Sequence, residues 1–254
     1  MKFDTRVKRL IKAAILSVLV VFGCLALYLA LLRHPGLFFR HTFAERSITL
    51  YSDEPIPSGS AKAVLERVEQ RLGRSPLFHP RSGDDIRIYI CNRSWRFVLF
   101  ANYRYNVGGL TYPPLSNNIF LRAANFDADR LIGPSGKEVA GERTLSYFIV
   151  HEITHTLSGN ELGPFGYWSL PVWKDDGYSD YIAKGASFDY DDALAQLRRG
   201  DPKMDPRRSG LYLRYNLLVA YLLDRKRISV QEMLSRDFDR ASLEAEMLAE
   251  NHGS

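Results

Sequence analysis

The chain has 254 residues, 46% of them hydrophobic and 25% charged, which is enough apolar material for a packed domain and excludes wholesale disorder. Its formal net charge is +5, but eight basic and only two acidic residues fall within the first 46, leaving 26 basic and 27 acidic residues for the rest. A nearly neutral body offers no basic groove, so nucleic acid is not an expected partner.

From Ala13 to Leu32 the sequence AAILSVLVVFGCLALYLALL carries no charge. At about 1.5 Å of rise per residue, a helix of that length crosses a hydrocarbon core of about 30 Å. This predicts a transmembrane anchor over 13–32, preceded by a cytoplasmic tail (1–12) and followed by a juxtamembrane linker (33–46). A cleaved signal peptide fits less well, because its apolar region is usually about 7–15 residues long and ends in small residues. Here the run ends in Leu31, Leu32 and Arg33. The short Val21-Phe22-Gly23-Cys24 segment resembles a lipoprotein processing site, but eight further apolar residues follow the cysteine instead of a polar tether. Lys2, Arg6, Lys8, Arg9 and Lys12 outnumber Arg33, Arg40 and Arg46, so the positive-inside rule puts the N-terminus in the cytoplasm and the body outside. The only cysteines are Cys24, inside the span, and Cys91, so the body has no internal disulfide and no cysteine-ligated structural zinc.

In the body, residues 47–53 (SITLYSD) read as a strand closed by a Pro and Ser cluster, and 61–72 as a helix with Ala63, Val64, Leu65, Val68 and Leu72 at helical spacing. Residues 86–91 alternate as a strand, 94–101 as a short helix, and 118–123 as a third strand after a Gly- and Pro-rich approach. Beyond Glu138 the strand signals vanish, and helical runs cover 138–158, 169–184, 189–199, 209–224 and 229–249. The expectation is one α+β domain over 47–254, a small mixed sheet followed by an all-helical half, because a sheet layer alone would leave its apolar face uncovered. Trp173 reads as a core residue, and Asn92-Arg93-Ser94 as a glycosylation sequon.

His151, Glu152 and His155 form an H-E-x-x-H pattern within RTLSYFIVHEITHTLSGN, an apolar stretch expected to be a buried helix stopping at Gly159 and Asn160. Residues i and i+4 share a helix face, so both imidazoles can reach one divalent ion while Glu152, one step round, points at its open position. That is the donor pattern of metal-assisted hydrolysis, with Glu152 as general base and Zn2+ as the expected ion. A third protein ligand is required, and Glu161, Asp175 and Asp176 are the acidic candidates. Glu161 lies six residues after His155, where metzincins carry their third ligand, but that pattern places a glycine at position 158, where this chain has Ser158.

The H-E-x-x-H segment followed about twenty residues later by LPVWKDDGYSDYIA (170–183) resembles the gluzincin metallopeptidases, in particular their aminopeptidase-like and peptidase-MA-like members. The resemblance implies a thermolysin-like domain hydrolysing peptide or protein substrates at a zinc held by His151, His155 and Asp176, the acid just before Gly177. It assigns Asp180, one turn on, to the ring N–H of a ligand histidine. It also matches 210–225 to a helix opening with a catalytic tyrosine, which falls on Tyr212 with Tyr215 as the competitor, and 117–123 to the edge strand along which substrate aligns. The chain departs from the family pattern in carrying Asp for Glu at the third ligand, 21 instead of 19 residues after His155. That departure leaves open a second reading, a membrane-anchored binding or scaffolding module of the same fold.

Overall fold

The computed structural model describes residues 5–79 and 86–250, and these fall into two compact units dividing between Phe38 and Phe39. Residues 1–4 of the expected tail and 251–254 of the expected body lie outside the described residues. The first unit is helix α1 (Thr5–Arg33) followed by a 3-10 turn at Pro35–Phe38. Arg9–Arg33 is long and apolar enough to cross a membrane. Leu10, Leu19, Val21, Phe22 and Leu27 on this helix are all exposed.

The second unit begins with strands β1 (His41–Glu45) and β2 (Ile48–Ser52), helix α2 (Ser58–Leu72), strand β3 (Ile86–Cys91), helix α3 (Ser94–Phe100), and strands β4 (Gly109–Tyr112) and β5 (Ser116–Arg122). A two-stranded ribbon, β6 (Ala124–Asn125) and β7 (Arg130–Leu131), leads into the helical half: α4 (Leu145–Ser169), α5 (Val172–Lys184), α6 (Tyr190–Arg198), the short α7 (Pro206–Ser209), α8 (Leu213–Ala220), α9 (Val230–Ser235) and α10 (Arg240–Ala249). The unit is thus mixed α+β, a small sheet followed by helices, in agreement with the sequence.

The five-stranded sheet has the order β1-β2-β3-β5-β4, with β2, β3 and β5 parallel and the two edges antiparallel. Period-2 alternation sorts its side chains. Ile48, Leu50, Ile88, Ile90, Ile119 and Leu121 belong to the buried core shared with α2 and α4. Tyr51, Tyr89 and Phe120, one position out of phase, form a stacked ladder with ring centroids 4.8 and 5.3 Å apart, continued by Phe100 of α3 at 4.6 Å and by Phe39. Each face therefore has its own cover, aliphatic on one side and aromatic on the other.

Several boundaries differ from the sequence reading. The expected linker 33–46 contains β1, because Arg46 at φ 51° closes a two-residue hairpin that pairs Glu45 with Ile48. No glycine or asparagine marks that turn, so the usual hairpin signal is missing. The strand expected over 117–123 lies inside the sheet, and the edge beside it is β4, whose first residue Gly109 and the preceding Gly108 read as loop. Helix α4 starts at Leu145 instead of 138, since Ile132 and Glu138 form a bridge and Thr144 caps the helix by accepting from Tyr147 N at 3.1 Å. Its regular portion runs past Gly159 to a break at Gly163, which takes φ 65° and ψ −179° ahead of Pro164. The expected 229–249 helix divides into α9 and α10, with extended Arg236 ending one and Asp239 capping the other. The helix starting at Leu213 widens at its end, passing into a π turn at Tyr221–Arg225. Trp173 is buried in the core as expected. The sequon amide of Asn92 is occupied within the protein, donating to Ser52 Oγ at 2.9 Å and Asp53 Oδ1 at 3.0 Å.

Candidate metal centre

Helix α4 is buried on nearly every side from Leu145 to Gly159, between the sheet, α2 and α5. That burial fixes its rotation, and with it the face on which His151 and His155 lie. Helix α5 packs across it and brings Asp176 to the same point. His151 Nε2 and His155 Nε2 are 3.2 Å apart, and Asp176 Oδ1 is 3.6 Å from each. Two ligands bound at about 2.1 Å to a tetrahedral ion sit roughly 3.4 Å apart, so the three donors form a triangle of the right size to hold a metal ion. The chemistry of the set, two imidazoles and one carboxylate, leaves room for a fourth position. His151, His155 and Asp176 form a cluster of the metal-ligating kind among the described residues. Glu161, by contrast, is exposed on the far portion of α4 and takes no part.

Asp175 is the carboxylate that touches a ligand histidine. Its Oδ1 accepts from His155 Nδ1 at 2.8 Å while its Oδ2 accepts from Tyr167 Oη at 2.9 Å, and Ser179 Oγ lies 3.2 Å from the same ring nitrogen. This hydrogen bond puts the ring proton on Nδ1 and turns Nε2 toward the ligand position. Asp180, expected in that role, is elsewhere: its buried carboxylate accepts from Tyr147 Oη and from Asn216 Nδ2 at 3.0 Å. It reaches the site through Tyr147, whose ring stacks on His151 with centroids 5.7 Å apart. His151 Nδ1 is buried without a hydrogen-bond partner among the described residues.

Tyr212 also stacks on the His151 ring, 5.5 Å away and within 12° of parallel, and it lines the cleft, whereas Tyr215 does not. Gly177 makes this possible. A Cβ there would meet the Tyr215 carbonyl oxygen at 2.7 Å, so only a glycine after Asp176 lets α8 lie close enough on α5.

These groups open into a cleft of about 550 Å³, walled on one side by β4 and the preceding loop and on the other by α4. Glu152 lies beneath β4, where a Cβ on Gly109 would approach its Oε1 and Cγ at 2.9 Å. Burial raises the Glu152 carboxyl above the usual range, His155 and His151 oppose that, and Asp176 and Asp175 add to it. At His155 burial alone would lower the imidazole, but the charge and hydrogen bond of Asp175, with Glu152 and Asp176 nearby, push it up to about 10. Burial pulls Asp175 up in turn, yet the His155 charge and hydrogen bond and the Tyr167 hydroxyl hold it below the usual carboxylate range. The Tyr212 phenol is raised by burial and by the charges of Asp176 and Glu152, so it stays protonated and able to donate.

The sequence offered Asp175 and Asp176 as alternatives, and helix geometry separates them. Neighbours on a helix point about 100° apart, so one can face the ion while the other faces the ring behind it. Tyr167 carried no comparable signal, because it lies beyond the Gly163 break, where helical periodicity no longer relates it to His155. The chain matches no family model, and no curated protein is similar to it in sequence.

Proposed function

We propose that the chain is a membrane-anchored zinc metallopeptidase of gluzincin type, with a thermolysin-like body on the extracytoplasmic side and the N-terminus in the cytoplasm. The observation that carries this reading is the convergence of His151, His155 and Asp176 beside a buried Glu152, at the floor of a cleft bordered by an edge strand. Zinc bound there would supply Lewis-acid polarisation of a carbonyl and acidify a water. Glu152, buried beside the three donors, would be the group that holds and moves a proton at its carboxylate. Its raised proton affinity suits a base working near neutral pH better than an ordinary carboxylate would. Tyr212 donates its phenol proton in a hydrogen bond to the developing oxyanion, and β4 offers backbone groups to an extended peptide.

Metal content and peptide hydrolysis test the reading on the purified full-length chain. His151→Ala should lose stoichiometric zinc, and Glu152→Gln should keep zinc while losing hydrolysis. Full activity in Glu152→Gln, or undiminished zinc in His151→Ala, would refute it. Stoichiometric metal with no cleavage of any peptide would favour the scaffolding alternative.

A further inference from the structure

The cleft has one charged feature that the hydrolytic chemistry does not use. Its floor is acidic, with Glu152, Asp175 and Asp176, yet Arg104 and Arg143 also line it. Neither guanidinium has a carboxylate partner among the described residues. Arg143 donates to the Gly210 carbonyl oxygen at 3.3 Å and lies over the Phe148 ring at 5.7 Å, which holds it in place at the rim. Arg104 is exposed.

The two arginines are at the same end. Strand β4 runs alongside α4 in the same direction: Gly108 abuts Phe148, Gly109 abuts Glu152, Thr111 Oγ1 is 3.0 Å from Thr156 Oγ1, and Pro113 abuts Gly159. Arg104 comes just before β4 and Arg143 just before α4, so both sit where the two walls begin. Arg143 lies just outside α4, but its guanidinium sits over Phe148, three positions or about 4.5 Å along the helix axis from His151. An extended chain at about 3.3 Å per residue reaches from the ligand set to that guanidinium within one or two residues. A peptide lying in the cleft therefore meets two unpaired positive charges at one end. An α-ammonium is repelled there, and a carboxylate gains charge-assisted hydrogen bonds to planar guanidinium groups.

We infer that Arg104 and Arg143 bind a substrate carboxylate on the C-terminal side of the reacting carbonyl, provided by the chain terminus or by an acidic side chain within the last few residues. The inference rests on the peptidase reading for the meaning of "substrate", but its test is a binding measurement that needs no turnover.

The full-length chain in detergent, carrying Glu152→Gln, is titrated into fluorescent five-residue peptides and anisotropy is read. The peptides have a free C-terminal carboxylate, an amidated neutral terminus, or an amidated terminus with a glutamate at one of the last three positions. At least one carboxylate-bearing peptide should bind about tenfold or more tightly than the neutral amide, the effect of one charge-assisted hydrogen bond. Which one does so tells a terminal from a side-chain carboxylate. The ratio should fall to near one in Arg104→Gln/Arg143→Gln and recover in part in Arg143→Lys, with zinc content and circular dichroism confirming that each variant is folded. Arg104→Gln alone, at an exposed position, should still reduce the ratio if the double variant does not fold. Equal binding of acid and amide, no binding of any peptide, or a preference that persists without the arginines overturns the inference. Cleavage by the unmodified chain without carboxylate preference would sink this inference and leave the peptidase reading standing. Carboxylate-selective binding without cleavage would do the reverse.

Discussion

The surroundings of the two ligand histidines differ more than their one-turn spacing suggests. His155 is held by a polar chain, in which Tyr167 donates to Asp175 and Asp175 accepts from the ring N–H. His151 has no such partner on its ring nitrogen Nδ1 among the described residues and is packed by the stacked rings of Tyr147 and Tyr212. One imidazole is oriented by hydrogen bonds and charge, the other by packing. A site built this way fixes both donors but lets their surroundings fail separately, one to polar substitutions and the other to loss of aromatic area.

The contrast can be broken at several points. Removing either imidazole, in His151→Ala or His155→Ala, should abolish stoichiometric metal equally, as read by elemental analysis; a variant that keeps its metal would show that the donors are not equivalent. Asp175→Asn should weaken metal affinity about 10–100-fold, the usual cost of losing such an outer partner, whereas Tyr147→Phe, which keeps the ring on His151, should leave affinity within about threefold of the parent. Competition with a chelating dye separates the two. Tyr147→Phe should instead cost about 1–3 kcal/mol in denaturant unfolding, because the buried Asp180 carboxylate loses a donor.

A pH series sharpens the polar half. With metal removed, the His155 imidazole is pushed up to about 10, above its ordinary value near 6.5, so it binds a proton more tightly folded than unfolded. Its contribution to stability is complete below about pH 6.5 and is lost as pH rises through about 10. Urea midpoints of the metal-free chain should therefore decline across that window, and the decline should shrink in Asp175→Asn. A slope unaffected by that substitution would place the titration elsewhere. The smallest effect is expected of Tyr167→Phe, which removes only the outer donor to Asp175 and should weaken metal by a few-fold at most.

The parts of the molecule legible in the sequence were those with a strict period. The run of uncharged residues at 13–32, the alternation in Ile86–Cys91 and the four-residue step from His151 to His155 each follow from local geometry. The β4 edge escaped notice because Val107-Gly108-Gly109 offers too little side-chain signal to distinguish a strand from a loop, although close backbone approach is the reason glycine stands there. The exchange of roles between Asp175 and Asp180 depends on how α5 is rotated against α4, which is set by packing with α8 across Gly177 and has no counterpart in spacing along the chain.

The contact between Gly109 and Glu152 has a consequence for how this site would be lost or retained. One added carbon at position 109 would meet Leu121 Cδ2 at 2.5 Å and Glu152 Cγ and Oε1 at 2.9 Å, while the three candidate donors, all on the helices opposite, are not among its neighbours. Alanine at 109 should thus press on the leucine of the adjacent strand and on the glutamate together, displacing the carboxylate while leaving the three donors in place. Among chains sharing His151, Glu152 and His155, the residue facing the glutamate decides whether its carboxylate can rest beside the histidines.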